Sequence, residues 1–355
     1  MKTNFDLILR ENIKKLKPYS TEKVDCKLKL DANENPFDFP MELKEIILKD
    51  LFKHPFNRYP DPDVSLLKEL LAGEIKVDKD RITLGNGSDE LIQSLTLAFG
   101  SKASLVFYPS FSMYGIISTV CNTKSKVISL DKKFDINIDT TLRYIKKNQP
   151  SLIFIGYPNN PTGNCFSKDK IISIIKSSSG LVVMDEAYSE FSKKTFLPLI
   201  NKYDNLVILR TFSKAYGLAG CRIGYMIASE KVVQQVNKVK LPFNLNSISQ
   251  RIGIIALKHK KKCNEAIKII ISEKARLLGE MGKNSMLYTF PTEANFILFR
   301  PKISSETMFK KLLTGGILIR NVADNKLLKN CLRVTVGKSS ENNAFLRVIE
   351  KFHKI

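Results

Sequence analysis

Short apolar runs alternate with amphipathic stretches through the middle of the chain, and this alternation is the strongest constraint on its fold. The runs are rich in β-branched residues and bounded by Gly, Pro and Asn, which is typical of strands buried on both faces. We expect strands over residues 103–108, 126–130, 152–157, 181–185, 206–210 and 223–228, with helices such as 88–99 and 168–178 between them. Strands that alternate with helices predict an α/β domain with a mostly parallel sheet covered by helices.

The pattern changes after about residue 241. A stretch with apolar residues at helical spacing covers 247–280, and strand-like segments follow at 294–299, 316–320 and 332–336, before a last helix from about residue 342. This predicts a smaller α+β domain. A chain of 355 residues suits one large and one small domain. We therefore predict a large ligand-binding domain over residues 41–240, and an N-terminal arm (1–40) that joins a small domain formed by 241–355.

The charge is unusual, at a formal net +22. Such a value is typical of proteins that bind nucleic acid or an anionic membrane. However, 45 of the 57 cations are lysines, the usual cations of a solvated surface, and they are spread out apart from one cluster at residues 258 and 260–262. The chain has no Trp and no basic stripe interleaved with aromatic residues. A basic nucleic-acid-binding protein is kept as the non-enzyme alternative, but we expect no nucleic-acid partner.

Metal and export signals are also weak. The six Cys and three His are scattered without a C-x-x-C pair, so we expect no zinc site, no disulfide framework and no bound metal. The first apolar residues are interrupted by Asp6 and Arg10, which argues against a signal peptide. No run approaches the roughly 18 apolar residues of a membrane span. These features predict a cytoplasmic protein without membrane partners.

Reactive side chains follow the predicted strands. Lys214 comes four residues after the strand 206–210, where lost solvation would lower its pKa and favour a Schiff base with an aldehyde. The alternative is an exposed loop lysine. Asp185 ends the strand 181–185 and could hold a protonated ring nitrogen, with Tyr188 close by to reach a phenolic oxygen. The alternative for Asp185 is a helix cap.

Three further segments add groups of a different kind. The rigid turn YPNNPTG (157–163) presents the amide of Asn160, and LGNGSDE (84–90) forms a small-residue entry to a helix, where free N–H groups suit a phosphate. Phe111 follows a strand and could stack on a flat ring, and Arg222 could add charge to the phosphate site. Each has an ordinary structural explanation when taken alone. Together with the lysine, the acid and the phenol, they form a complete set of groups for pyridoxal 5′-phosphate.

The order of these motifs resembles the fold type I, aspartate-aminotransferase-like enzymes, which depend on pyridoxal phosphate. Within them, the chain is most similar to the histidinol-phosphate aminotransferases. The NPTG turn and the SK…R element belong to many class II-like aminotransferases, whereas LDANENP (30–36) and NRYPDP (57–62) are narrower. The matching strings span nearly the whole chain. The resemblance implies an α/β fold with a large domain, whose sheet is mostly parallel, and a smaller α+β domain.

The resemblance also implies a role for each matching residue. Lys214 would bond to the cofactor aldehyde and move the substrate proton, while Asp185 would keep the pyridine nitrogen protonated. Asn160 and Tyr188 would bind the ring oxygen, and Phe111 would stack on the ring. The residues implied around the cofactor phosphate are Gly87, Ser88, Asp89, Thr211, Ser213 and Arg222.

The implied reaction is transamination between L-histidinol phosphate and 2-oxoglutarate in histidine biosynthesis. The expected substrate-binding residues are Tyr19, Asn33, Arg320 and Arg333. The two arginines are expected there because a planar guanidinium suits both a phosphate and a carboxylate. Tyr59 of NRYPDP would reach the cofactor phosphate of a neighbouring subunit, which implies a homodimer with shared active sites. An aromatic amino-acid aminotransferase and a threonine-phosphate decarboxylase remain alternatives of the same fold.

Overall fold

The computed structural model describes residues 8–14, 16–18, 24–323 and 326–351. Thirteen helices and thirteen strands are found in these residues. The strands are β1 (Leu28–Lys29), β2 (Ile82–Asn86), β3 (Ser104–Tyr108), β4 (Ser125–Ser129), β5 (Leu152–Gly156), β6 (Leu181–Asp185), β7 (Leu206–Thr211), β8 (Ile223–Ile227), β9 (Leu287–Thr289), β10 (Phe296–Pro301), β11 (Ile317–Leu318), β12 (Arg320–Asn321) and β13 (Leu332–Thr335). The helices are α1 (Glu11–Lys14), α2 (Met41–Phe52), α3 (Ser65–Ile75), α4 (Ser88–Phe99), α5 (Met113–Val120), α6 (Ile138–Asn148), α7 (Lys168–Ser177), α8 (Ser189–Ser192), α9 (Glu230–Val239), α10 (Ser247–Lys258), α11 (Lys260–Lys283), α12 (Ser305–Thr314) and α13 (Ser339–Glu350).

The large sheet has seven strands in the order β2-β8-β7-β6-β5-β3-β4. All pairings except the two made by β8 are parallel. Strands β5, β6 and β8 are buried along their whole length, because helices cover both faces of the sheet. The α/β class and the mostly parallel sheet predicted from the apolar runs are therefore confirmed, with strand ends within about two residues of those expected.

A second, antiparallel sheet of four strands in the order β12-β13-β10-β9 is formed by the C-terminal part of the chain. The short strand β1 pairs in parallel with β11, so the segment that follows the N-terminal arm lies against the C-terminal elements. The backbone N–H of Leu30 donates to Leu318 O at 2.7 Å, and that of Thr335 donates to Leu30 O at 2.9 Å. This packing brings residues 30–36 beside the small sheet. The division at residues 40 and 241 stays a prediction.

Two predicted elements are wrong in detail. The helical stretch 247–280 is two helices, α10 and α11, which meet at His259. This break lies in the lysine cluster at residues 258 and 260–262. A continuous helix there would place like charges four residues apart on the same helix face. The break instead lets Lys260 pair with Glu74 and Lys262 with Glu42. The cluster is thus partly neutralised within the protein, which weakens the nucleic-acid alternative.

The second correction concerns the predicted strand 316–320. It is divided into β11 and β12, which belong to different sheets. The chain therefore turns between the two sheets at Ile319, and Arg320 is presented beside β13. Near the N-terminus the structure describes α1, and residues 1–7 and 15 lie outside the described part. Within the described residues, no helix is both long enough and apolar enough to cross a bilayer.

Candidate active site

A cavity of about 390 Å³ lies where the carboxyl ends of the large-sheet strands face the small sheet. Ligands bind in this position in open α/β sheets. Most of the residues predicted from the sequence line it: Asn33, Ser88, Asp89, Phe111, Asn160, Asp185, Tyr188, Thr211, Ser213, Lys214, Arg222, Arg320 and Arg333. The separate motifs therefore converge on one site, as expected for a single ligand.

Lys214 lies three residues beyond the end of β7, with its Nζ atom donating a hydrogen bond to Ala32 O at 2.9 Å. Burial lowers the pKa of this amine to about 8, and the nearby charge of Arg333 acts in the same direction. A useful fraction of the side chain is consequently neutral near pH 7. A neutral amine is the nucleophilic form, so the location suits a lysine that attacks a carbonyl carbon.

Asp185 is the last residue of β6 and is buried. Its Oδ2 accepts a hydrogen bond from the Tyr114 hydroxyl at 2.8 Å, and its Oδ1 accepts one from Ala187 N at 3.1 Å. Burial raises the pKa of the carboxyl to about 6, and these hydrogen bonds only partly offset it. No described ion pair includes this carboxylate. A ligand with a cationic N–H group would supply the positive partner that the protein does not.

The turn between β2 and α4 has the geometry of an anion cradle. Gly87 has φ +85°, and Ser88 begins α4, so the first N–H groups of a helix of 12 residues open onto the cavity. A Cβ atom on Gly87 would lie 2.4 Å from Arg222 Nη2, and one on Gly224 would lie 2.4 Å from Ser88 N. Glycine is required at both positions because the backbone and the guanidinium approach so closely.

Hydroxyl and charged groups surround this turn. Thr211 Oγ1 lies 2.9 Å from Ser213 Oγ, and Arg222 Nη2 lies 3.5 Å from Asp89 Oδ2. Burial raises the pKa of Asp89, although Arg222 opposes the effect. Two hydroxyls, one guanidinium and a helix N-terminus together form a site for a phosphate group.

The ring-binding side of the cavity includes one residue that the sequence analysis missed. Phe111 lines the cavity and packs edge-to-face on Tyr114, with ring centroids 5.6 Å apart. Tyr114 in turn stacks on Phe154 at 5.2 Å and holds Asp185 through its hydroxyl. Tyr114 could have been predicted from one requirement. A buried carboxylate needs an O–H donor, and a tyrosine at the start of a neighbouring helix can supply it.

Asn160 and Tyr188 follow strands of the large sheet and form hydrogen bonds to residues in or beside the small sheet. The Tyr188 hydroxyl accepts a hydrogen bond from Asn33 Nδ2 at 3.0 Å, and Asn160 Oδ1 accepts one from Arg333 Nη1 at 2.5 Å. Arg333 also donates to Asp31 O. The predicted amide and phenol therefore lie beside the predicted substrate-binding residues, at the boundary between the cofactor-facing and substrate-facing sides of the cavity.

Arg320 and Arg333 are direct partners in the antiparallel pairing of β12 with β13. Residues directly opposite each other in such a ladder project to the same face, and two like charges there are unfavourable without a counter-ion. Arg333 is nine-tenths buried and lies over the Phe296 ring. Both residues line the cavity, so a doubly charged anion bound there would offset this repulsion.

Two described residues among those predicted, Tyr59 and Gly87, do not line the cavity. Tyr59 is 81% exposed and stacks on Phe243, with centroids 4.5 Å apart and an interplanar angle of 16°. It does not line this chain's own cavity. Tyr19 lies outside the described residues. Gly87 contributes its backbone to the cradle without lining the cavity itself.

The residues present fit pyridoxal phosphate. The cradle matches its phosphate, the cation-free buried carboxylate of Asp185 matches its ring nitrogen, and the desolvated Lys214 matches its aldehyde. Residues 25–349 match the family model for class I and II aminotransferases.

The chain belongs to the class I and II aminotransferases.

Curated relatives give a narrower picture of where this aminotransferase stands in the family. It is 39% identical to the histidinol-phosphate aminotransferase of Caldanaerobacter subterraneus over 97% of this chain and 98% of that one. It is 40% identical to that of Aquifex aeolicus over the same shares. The names of these relatives agree with the transamination predicted from the sequence.

A solved structure of the histidinol-phosphate aminotransferase from Sinorhizobium meliloti, in complex with pyridoxal-5′-phosphate, superposes on this aminotransferase with a TM-score of 0.86. The alignment covers 97% of this chain and 98% of that one at 22% identity. This likeness shows the fold, and the aspartate-aminotransferase-like architecture predicted from the motifs is confirmed. Family membership likewise confirms pyridoxal phosphate as the cofactor.

The glycine of the NPTG turn packs closely against a segment of the C-terminal part of the chain, and substituting it tests how much this contact stabilises the protein. Gly163 has φ +77°, and a Cβ atom there would lie 2.3 Å from Thr292 Oγ1, in the segment that leads into β10. Its carbonyl oxygen accepts Glu293 N at 2.7 Å. We expect Gly163→Ala to lower the free energy of unfolding by about 1–3 kcal/mol, measured by chemical denaturation.

Gly73→Ala is the matched control, because Gly73 lies in α3 with open space around its Cβ position. We expect that variant to be neutral or slightly stabilised, since alanine is the better helix former. Equal destabilisation of both variants would contradict the conclusion that the close approach of Gly163 to the segment before β10 requires glycine.

Proposed function

We propose that this aminotransferase transfers the amino group between L-histidinol phosphate and 2-oxoglutarate, giving imidazole acetol phosphate and glutamate. The observation that carries the substrate assignment is the Arg320–Arg333 pair on one face of the small sheet, open to the cavity that Lys214 also lines. It is suited to a phosphate ester in one half-reaction and a carboxylate in the other. The relatives named histidinol-phosphate aminotransferase support this assignment.

Bound pyridoxal phosphate supplies an aldehyde carbon that carries the amino group and a ring that accepts electrons from the substrate Cα. The Lys214 amine, neutral in part because of its burial, would accept the proton from the substrate Cα and deliver it to the former aldehyde carbon of the cofactor. Asp185 would keep a proton on the ring nitrogen, because that N–H group would be the cationic partner of its buried carboxylate. Tyr114 keeps that carboxylate in position through its hydroxyl.

Other side chains bind and orient. The Gly87–Ser88 turn and Arg222 would bind the phosphate, and Phe111, which lines the cavity, would stack on the ring. Asn160 and Tyr188 are placed to bind the ring oxygen, and their present bonds to Arg333 and Asn33 join that oxygen site to the substrate site. Movement of Arg333 onto a substrate anion would release the Asn160 amide oxygen. Substrate binding and cofactor orientation are thus connected through one hydrogen bond.

We also propose that the enzyme is a cytoplasmic homodimer with shared active sites. Tyr59 supports this, because it is largely exposed and lies away from its own chain's cavity, yet it belongs to the NRYPDP string that the family uses at the neighbouring site. Three further apolar side chains, Phe52, Phe56 and Leu241, are also exposed, and a second copy of the chain would provide a partner for such residues.

Substitution of Arg333 tests the substrate site. We expect Arg333→Lys to raise KM for both histidinol phosphate and 2-oxoglutarate by about 10- to 100-fold, because lysine cannot present a planar fork to either anion. Steady-state kinetics with each substrate varied in turn provide the measurement. Arg300→Lys on the adjacent strand β10 is the control, since Arg300 binds the backbone oxygens of Leu327 and Lys329 and does not line the cavity. Equal effects in both variants would contradict the assignment.

The proposed activity is tested directly by supplying 2-oxoglutarate with histidinol phosphate, phenylalanine or threonine phosphate and measuring glutamate and carbon dioxide. We expect glutamate to form fastest with histidinol phosphate and no carbon dioxide to be released. A preference for phenylalanine would instead indicate an aromatic aminotransferase. Release of carbon dioxide from threonine phosphate would indicate the decarboxylase alternative.

A further inference from the structure

Glu90 makes two close contacts that none of the roles above uses. It is the third residue of α4, immediately after the Gly87–Ser88 turn. Its Oε2 atom accepts the backbone N–H of Asn86 at 2.6 Å and the side-chain amide Nδ2 of Asn244 at 2.6 Å. One carboxylate oxygen therefore joins the phosphate turn to the segment that follows α9.

Glu90 has a lysine and the end of β2 close to its carboxylate. Lys240 Nζ donates to Thr83 Oγ1 at 2.9 Å; burial lowers the pKa of this amine to about 8, and the negative charge of Glu90 opposes that shift. On the other side, a Cβ atom on Gly85 would lie 3.0 Å from Glu90 Oε2, so the strand before the turn packs closely on the carboxylate. Glu90 is thus held from two directions: by the end of β2, at Gly85 and Asn86, and by the Asn244 segment.

The Asn244 segment also carries Phe243, the stacking partner of Tyr59. Phe243 has φ +56°, in the left-handed region that residues other than glycine seldom adopt. Asn244 Nδ2 lies within 3.4 Å of Leu84 O, so this residue is anchored to β2 as well as to Glu90. The hydrogen bond from Asn244 to Glu90 consequently connects the phosphate turn with the Tyr59–Phe243 pair on the outer face.

We propose that Glu90 is a positioning residue of the phosphate cradle, which sets the Asn86–Ser88 turn and, through Asn244, fixes the Tyr59–Phe243 pair relative to that turn. This inference rests on the proposed function in one respect, the use of Tyr59 at a neighbouring subunit's phosphate. A Glu in the first turn of a helix also stabilises the helix itself. Glu341 in α13 shows that simpler role, because its Oε2 accepts Lys338 N at 2.7 Å far from the cradle sequence.

The test compares Glu90→Ala, Glu90→Gln and Asn244→Ala with the matched control Glu341→Ala. The measurements are the dissociation constant of pyridoxal phosphate from the full-length protein, competition by inorganic phosphate, and thermal unfolding. We expect Glu90→Ala to weaken binding of both ligands by about 10- to 100-fold. Glu90→Gln keeps an acceptor oxygen and should recover part of the affinity. Glu341→Ala should lose thermal stability with unchanged dissociation constants.

Unchanged affinities in both Glu90 variants, or an equal loss in Glu341→Ala, would overturn the proposal, because Glu90 would then serve only the helix. Should Glu90→Ala fail to fold, Glu90→Gln and Asn244→Ala still decide the matter. The connection to Tyr59 is tested by combining Asn244→Ala with Tyr59→Phe. Non-additive effects on the dissociation constant support it, and additive effects contradict it. Cofactor affinity does not depend on which amino donor is used, so failure of the histidinol phosphate assignment would be distinguishable.

Discussion

Replacing Lys214 by alanine is expected to reduce transamination by at least about 10³-fold, because the proton at the substrate Cα would lose its acceptor. The amine is desolvated, with its pKa lowered to about 8, and lies beyond the end of a central strand. The rate of glutamate formation gives the activity. Borohydride reduction followed by peptide mass analysis shows whether the cofactor is attached at residue 214 in the wild type and lost in the variant.

Lys274→Ala is the appropriate control for this experiment. Lys274 is also buried, and burial also lowers its pKa, but it lies in α11 and does not line the cavity. We expect this control to keep its cofactor attachment and its activity per folded molecule. Attachment of the cofactor to a residue other than Lys214, or full activity in Lys214→Ala, would contradict the assigned role.

The second large effect is expected for Asp185→Asn. An amide of the same shape cannot keep a ring nitrogen protonated, so the ring would accept electrons poorly and kcat should fall by about 10²- to 10³-fold. The amide oxygen can still accept Ala187 N, and the amide NH2 group can donate to the Tyr114 hydroxyl oxygen, so both contacts have a counterpart in the variant. Single-turnover rates measured with saturating cofactor separate this effect from weaker cofactor binding.

The same substitution is expected to stabilise the cofactor-free protein. Burial raises the pKa of Asp185 to about 6, above its ordinary value of 3.8, so the folded state keeps a proton that the unfolded state has released. The free energy of unfolding therefore falls as pH rises from about 4 to 6. Asparagine does not titrate, so Asp185→Asn should gain about 1–3 kcal/mol at pH 7 and lose that part of the pH dependence. Identical pH profiles for the variant and the wild type would contradict the buried, cation-free carboxylate.

Much of this fold and site could be predicted from sequence, because local patterns are strong where the strands are buried. The strand 181–185 and the helix 88–99 are found with the predicted bounds, since a continuous apolar run and a Gly–Ser helix entry leave little choice. The functional side chains follow such runs directly. Parallel strands then bring their carboxyl ends to one edge, which explains why residues as distant as Ser88 and Lys214 line the same cavity.

What could not be predicted depends on contacts between remote segments. The hydrogen bond from Tyr114 to Asp185 joins α5 to the end of β6. The lysines that follow the helix break at His259 form ion pairs with glutamates of α2 and α3. The split between β11 and β12 likewise depends on which sheet each half joins. The role of Tyr59 rests on the proposed homodimer, and the pattern of one sequence does not describe a contact between two copies of the chain.

The central claim, that the Arg320–Arg333 pair and Lys214 together serve histidinol phosphate, is tested most directly by a half-reaction. The holoenzyme is mixed with histidinol phosphate in the absence of 2-oxoglutarate, and the absorbance of the bound cofactor is followed to the amino form. We expect complete conversion, with a second-order rate constant at least about 100-fold above that for phenylalanine. Conversion with phenylalanine alone, or equal rate constants for both amino donors, would contradict it.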